Sequence, residues 1–96
     1  MAERSVEDYL VARSKRRGVW AVKCAVPGLN GFPDRMLLAP GGRAAFAELK
    51  RRGKVARKLQ QWVHKRLRAL GFKVETIDRH DQIDPFLDDW LGPEDA

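Results

Sequence analysis

The chain has 96 residues, of which 44% are hydrophobic and 33% charged, and a formal charge of +6. That length fits one domain over residues 1–96 with a modest core, and excludes a second domain or a long structureless insertion. Three Trp and the apolar content exclude a disordered chain, while no apolar run is long enough to cross a bilayer or to mark the chain for export.

Ser5 followed by Asp8 matches a helix-start pattern, and Val6, Tyr9, Leu10 and Arg13 recur at helical spacing. Residues 5–16 are therefore expected to form an amphipathic helix, ended by Gly18. From Val19 to Val26 alternation predicts a strand, with Trp20, Val22, Cys24 and Val26 on one side and Lys23 on the other. Pro27-Gly28 stops it, and Asn30-Gly31 with Pro33 makes residues 29–33 a loop. The glycines at 28 and 31 admit a tight turn or a close backbone approach to phosphate, and turn geometry is the expectation.

A hairpin is expected next, with arms Arg35–Ala39 and Arg43–Lys50 around Pro40-Gly41-Gly42. On its second arm Glu48 and Lys50 stand two residues apart and share a face. Leu59, Val63, Leu67 and Leu70 define the stripe of a helix over residues 56–70, closed by Gly71. Phe72–Ile77 reads as a strand, and Asp84-Pro85 as the N-cap and first turn of a last helix through Leu91. The order is αβββαβα.

Charge is unevenly placed along this order. Residues 1–74 hold 18 Lys and Arg against 5 Asp and Glu, whereas residues 75–96 hold 1 against 8. So basic a body attracts a polyanion by neutralising phosphates and releasing counterions, which makes nucleic acid the leading partner over mere solvation of helix faces. Between Arg43 and Lys73 Glu48 is the one acid among eleven Lys and Arg. Cys24, the only cysteine, can form no internal disulfide, which suggests a reducing compartment and a cytoplasmic location.

Asp34 and Glu48 supply the oxygen ligands that a hard divalent ion prefers, with the Leu49 carbonyl as a third. Lys50 beside them either assists deprotonation of an attacking water or stabilises developing negative charge. Hydrolysis of a phosphodiester needs these parts. The bland alternatives are Asp34 as a turn residue or partner of Arg35, and Glu48 with Lys50 as an exposed ion pair of small consequence.

Taken together, Gly31-Phe32-Pro33-Asp34-Arg35, Phe46-Ala47-Glu48-Leu49-Lys50, and Gln60 followed by Leu67-Arg68-Ala69-Leu70-Gly71-Phe72 resemble the VRR-NUC domain of the PD-(D/E)xK nucleases in its small stand-alone form. The resemblance runs from about Val6 to Ile77. It implies an α/β, restriction-endonuclease-like core with a mixed sheet flanked by helices, and an endonuclease using Mg²⁺ or Mn²⁺ on branched or structured DNA. It also implies Glu7 as a further metal ligand with Asp34 and Glu48, and Gln60, rather than Gln61, in positioning water or phosphate.

Lys23, Arg35, Arg51, Arg52, Lys54, Arg57 and Lys58 cluster by sequence about this constellation as candidate phosphate contacts. His64, one helical turn from Gln60, either faces the phosphate or is a helix surface residue packed near the site, and it stays outside the catalytic set. Trp20, Trp62 and Trp90 are read as core or subunit contact rather than base-stacking residues. Symmetric cutting of two strands needs two sites, so a C2 homodimer is expected. The rival readings are a non-catalytic nucleic-acid-binding module on the same fold, and a structural protein whose basic face meets an acidic protein.

Overall fold

The computed structural model describes residues 3–50 and 57–94. Its elements are α1 (Glu3–Arg16), β1 (Trp20–Lys23), β2 (Arg35–Ala39), β3 (Arg43–Leu49), α2 (Lys58–Ala69), β4 (Lys73–Ile77), a 3₁₀ turn (His80–Gln82) and α3 (Ile83–Leu91), which is the expected αβββαβα order. The strands form one mixed sheet in the order β1-β2-β3-β4. β1, β2 and β3 are antiparallel neighbours, and β4 runs parallel to β3 after the α2 crossover.

β3 is the strand on which the fold turns. Its residues from Ala45 to Leu49 are all buried, as expected of a strand covered on both faces. Ala45, Ala47 and Leu49 join Val6 and Leu10 of α1, Ile77 of β4, and Ile83, Phe86 and Leu87 of α3 in one hydrophobic cluster. Full burial of a side chain such as Leu87 contributes about 2 kcal/mol. By the strand's period of two, Phe46 and Glu48 point to the opposite face, which α2 covers through Val63 and His64.

Several expectations shift in register. α1 begins at Glu3, so Ser5 lies within the helix and caps nothing; its Oγ stands 3.4 Å from His80 Nε2. β1 is four residues long because its pairing with β2 runs only from Trp20↔Leu38 to Lys23↔Arg35, after which the Cys24 amide donates to the Asp34 carbonyl at 2.7 Å. α3 starts at Ile83, so Asp84 is not its N-cap; its carboxylate instead receives Tyr9 Oη at 2.9 Å and Arg13 Nε at 2.7 Å. On α2 the buried side is centred on Val63 and His64, leaving Leu59 and Leu70 exposed. Gly71 does close that helix, at φ +98°.

Trp20 (70% exposed) and Trp62 (54%) are not core residues, whereas Trp90 packs against the cluster. The acidic segment docks on α1 and the residue that follows it: Arg13 pairs with Asp84 and Glu94, and Arg17, just past the helix, with Asp88. Asp89 pairs with Lys73.

Candidate active site

Three elements deliver the site. The turn of residues 29–33 leads into β2 and places Asp34 beside the end of β3, where the Leu49 amide donates to Asp34 Oδ2 at 2.9 Å. The α2 face of β3 presents Glu48, which is 3% exposed. The first turn of α2 then brings Gln60, whose Nε2 donates to Glu48 Oε2 at 3.0 Å. Lys50, two residues after Glu48, holds its Nζ 3.6 Å from the same oxygen.

Electrostatics single out Glu48. Burial, and next the neighbouring charge of Asp34, push its carboxyl up from 4.5 to about 7, against the opposing pull of Lys50. Its second oxygen, Oε1, is buried with no hydrogen-bond partner among the described residues. A buried acceptor left unpaired is costly unless something else meets it. This is not the exposed strand ion pair of the bland reading, and Asp34 is engaged by a β3 amide rather than by Arg35.

The other predicted residues divide. Glu7 is not gathered with the two acids: its Oε2 receives Arg35 Nε at 3.0 Å, and among the described residues no three Asp, Glu, His or Cys side chains form a group able to hold a metal. The reason lies in the pleat. Arg35 pairs in register with Ala47 and so shares the face that α1 covers, whereas Glu48 lies on the other. Arg35 also donates to the Ala21 carbonyl at 3.0 Å, so both its contacts are internal. Lys23, Arg57 and Lys58 are exposed. Arg51, Arg52 and Lys54 lie outside the described residues.

Sequence reasoning left His64 out of the catalytic set, with a surface position as one of its two readings; it is 2% exposed, with Nε2 unpartnered among the described residues. Burial, then the charges of Arg68 and Lys50, lower its pKa and favour the neutral ring, against the smaller pull of Asp34. Its place four residues after Gln60, one turn along the same helix face, was the available signal.

Asp34 and Glu48 bring carboxylate oxygens of the kind a hard divalent cation takes, Glu48 Oε1 is free to accept one, and a cation there would favour the ionised form that burial disfavours. A groove of about 450 Å³ lies elsewhere, lined by Lys73, Thr76, Arg79, Gln82 and Phe86, and holds none of these acids.

No family model matches the chain. A curated relative, "Putative nuclease p44" of Acyrthosiphon pisum secondary endosymbiont phage 1, is 38% identical over 79 residues, spanning 82% of this chain and 85% of that protein. A solved structure described as a VRR_NUC domain superposes with a TM-score of 0.85 at 26% identity, over 93% of this chain and 97% of the other. The paired acids just before β2 and on β3, the lysine two residues on, the shared architecture and these two likenesses agree: the chain belongs to the VRR-NUC nuclease family.

Proposed function

We propose that the chain is a Mg²⁺- or Mn²⁺-dependent DNA endonuclease that selects branched or otherwise structured substrates. The observation that carries this reading is the Asp34–Glu48 pair, with Gln60 and Lys50 on one Glu48 oxygen and the other oxygen unpaired. Asp34 and Glu48 would hold the ion, with the Leu49 carbonyl as a further oxygen; Glu7 joins them only by leaving Arg35. When bound, such an ion lowers the pKa of a water and neutralises charge on the phosphoryl group.

The chain's own residues do the rest. Glu48 gives up its proton near neutral pH to become a ligand. Gln60 fixes Glu48 Oε2 and so orients the carboxylate, leaving Oε1 as the free acceptor. Lys50 adds a fixed positive charge beside that carboxylate, placed to orient or deprotonate a water or to stabilise the charge that develops on the phosphoryl oxygens. Arg57 and Lys58, exposed at the start of α2 beside Gln60, would hold phosphates of the DNA, whereas Lys23, in register with Arg35, stands on the other face of the sheet. A C2 homodimer would present two such sites to the two strands of a junction.

The test is to incubate purified protein with flaps, splayed arms, four-way junctions and linear duplex in Mg²⁺, Mn²⁺ or EDTA. Cutting of the branched substrates in either metal, abolished by EDTA, is the expected result. Salt-sensitive binding without cutting in any metal would leave the binding-module reading in its place.

A further inference from the structure

We infer that Gly31 is a positioning residue of this site: having no side chain, it lets the turn before Asp34 seat against the backbone of Leu59, and so sets the distance between α2 and the acid pair. A Cβ at Gly31 would stand 2.8 Å from the Leu59 carbonyl oxygen and 2.9 Å from both its carbonyl carbon and its Cγ. The first two are backbone atoms inside a helix and cannot rotate away. Gly31 is absent from the glycines with positive φ, so it is here for space and not for conformation.

The turn has little room to retreat. Phe32, the next residue, packs edge-on against Phe46 with centroids 5.4 Å apart, and Phe46 packs edge-on against Phe72 just past α2, also at 5.4 Å. An added methyl therefore pushes on the first turn of α2, where Gln60 follows Leu59. Moving the contact from 2.8 Å to the 3.4 Å at which ordinary van der Waals contact begins is a shift of 0.6 Å. Applied to the 3.0 Å bond from Gln60 to Glu48, that shift carries the pair out of hydrogen-bond range. Gly31 thus acts on Glu48 through Gln60.

The catalytic consequence rests on the nuclease reading, whereas the contact does not. Gly31→Ala is compared with wild type, Gln60→Ala and the double variant, each first shown to be folded by circular dichroism and thermal melting. Turnover of a branched DNA in Gly31→Ala is expected to fall about tenfold or more, with KM within about twofold. In the Gln60→Ala background the glycine change should cost less than about twofold, because both act on one contact. In the NMR spectrum, Gly31→Ala should move the Gln60 side-chain amide resonances toward those of an unbonded amide. Wild-type turnover in Gly31→Ala, or full additivity with Gln60→Ala, overturns the inference. Should wild type cut no substrate, the nuclease reading fails and the NMR arm decides alone: unmoved Gln60 resonances overturn the positioning role. If Gly31→Ala is too unstable to assay, Gly31→Ala in a Leu59→Ala background, which lacks the Cγ contact, carries the same comparisons against Leu59→Ala.

Discussion

Gln60 binds at both ends of its side-chain amide: Nε2 donates to Glu48 Oε2 at 3.0 Å, while Oε1 accepts the Arg57 amide at 3.1 Å. The two bonds fix which way the amide points and tie the first turn of α2 to the inner strand β3. Gln60→Ala removes a donor from a buried carboxylate, so the Glu48 pKa should rise further from about 7 and DNA cutting should slow by about tenfold. Carboxyl-carbon NMR across a pH series reads the first effect and single-turnover cleavage the second. An unchanged Glu48 titration in the variant would contradict this geometry.

Glu48 should also make the metal-free protein less stable as pH rises. Its folded pKa of about 7 lies above the ordinary 4.5, so between those values the native state holds a proton that the unfolded chain has lost. The contribution is fully present below pH 4.5 and lost as pH climbs through 7, an effect on the order of 3 kcal/mol. Glu48→Gln keeps an acceptor for Gln60 and cannot ionise. In EDTA it should unfold at higher urea than wild type at pH 8 and at about the same urea at pH 5.

The same titration predicts proton release on metal binding. Calorimetry with Mn²⁺ in buffers of different ionisation enthalpy should report close to one proton expelled at pH 6 and about a tenth of one at pH 8. Equal release at both values would remove Glu48 from the ligand set.

Asp34→Ala and Lys50→Ala should each reduce cutting by about a hundredfold or more, since each removes a charge beside the Glu48 carboxylate. Neither is expected to alter the salt dependence of DNA binding, which the exposed basic residues set. Filter binding at several salt concentrations, beside cleavage, separates the two effects. Equal loss of binding and cutting favours a non-catalytic module.

Asp84 clamps α3 to α1 through Tyr9 and Arg13, and the Arg13 guanidinium holds its carboxyl below the usual 3.8. This stabilisation is present above pH 3.8 and lost as pH falls through the lower folded value. Asp84→Asn should therefore melt at a lower temperature than wild type at pH 7, with the difference shrinking in strong acid. Melting curves at pH 7 and at pH 2 to 3 read it directly.

Much of this was legible in the sequence where local chemistry decides. Alternation and turn residues gave β2, β3 and the Pro40-Gly41-Gly42 turn, and the two-residue spacing put Glu48 and Lys50 together. Tertiary pairing moved the rest. Asp84 looked like a cap because only its neighbour Pro85 was visible, while its partners Tyr9 and Arg13 lie 75 and 71 residues away. Of the expected stripe Val63 is buried and Leu67 half-buried, but Leu59 and Leu70 are exposed, because the helix is turned so that His64 shares the buried side and Gln60 its edge. Glu7 depended on which face of the sheet α1 covers, a fact carried by no local pattern.

The docking of the acidic segment makes the molecule electrically lopsided. Asp84 and Glu94 lie against Arg13 of α1, Asp88 against Arg17 just after that helix, and Asp89 against Lys73, whereas α2 carries four basic residues and no acid at all. Such a separation is expected to turn an approaching polyanion before contact toward the α2 side of the sheet, the face to which Glu48 points.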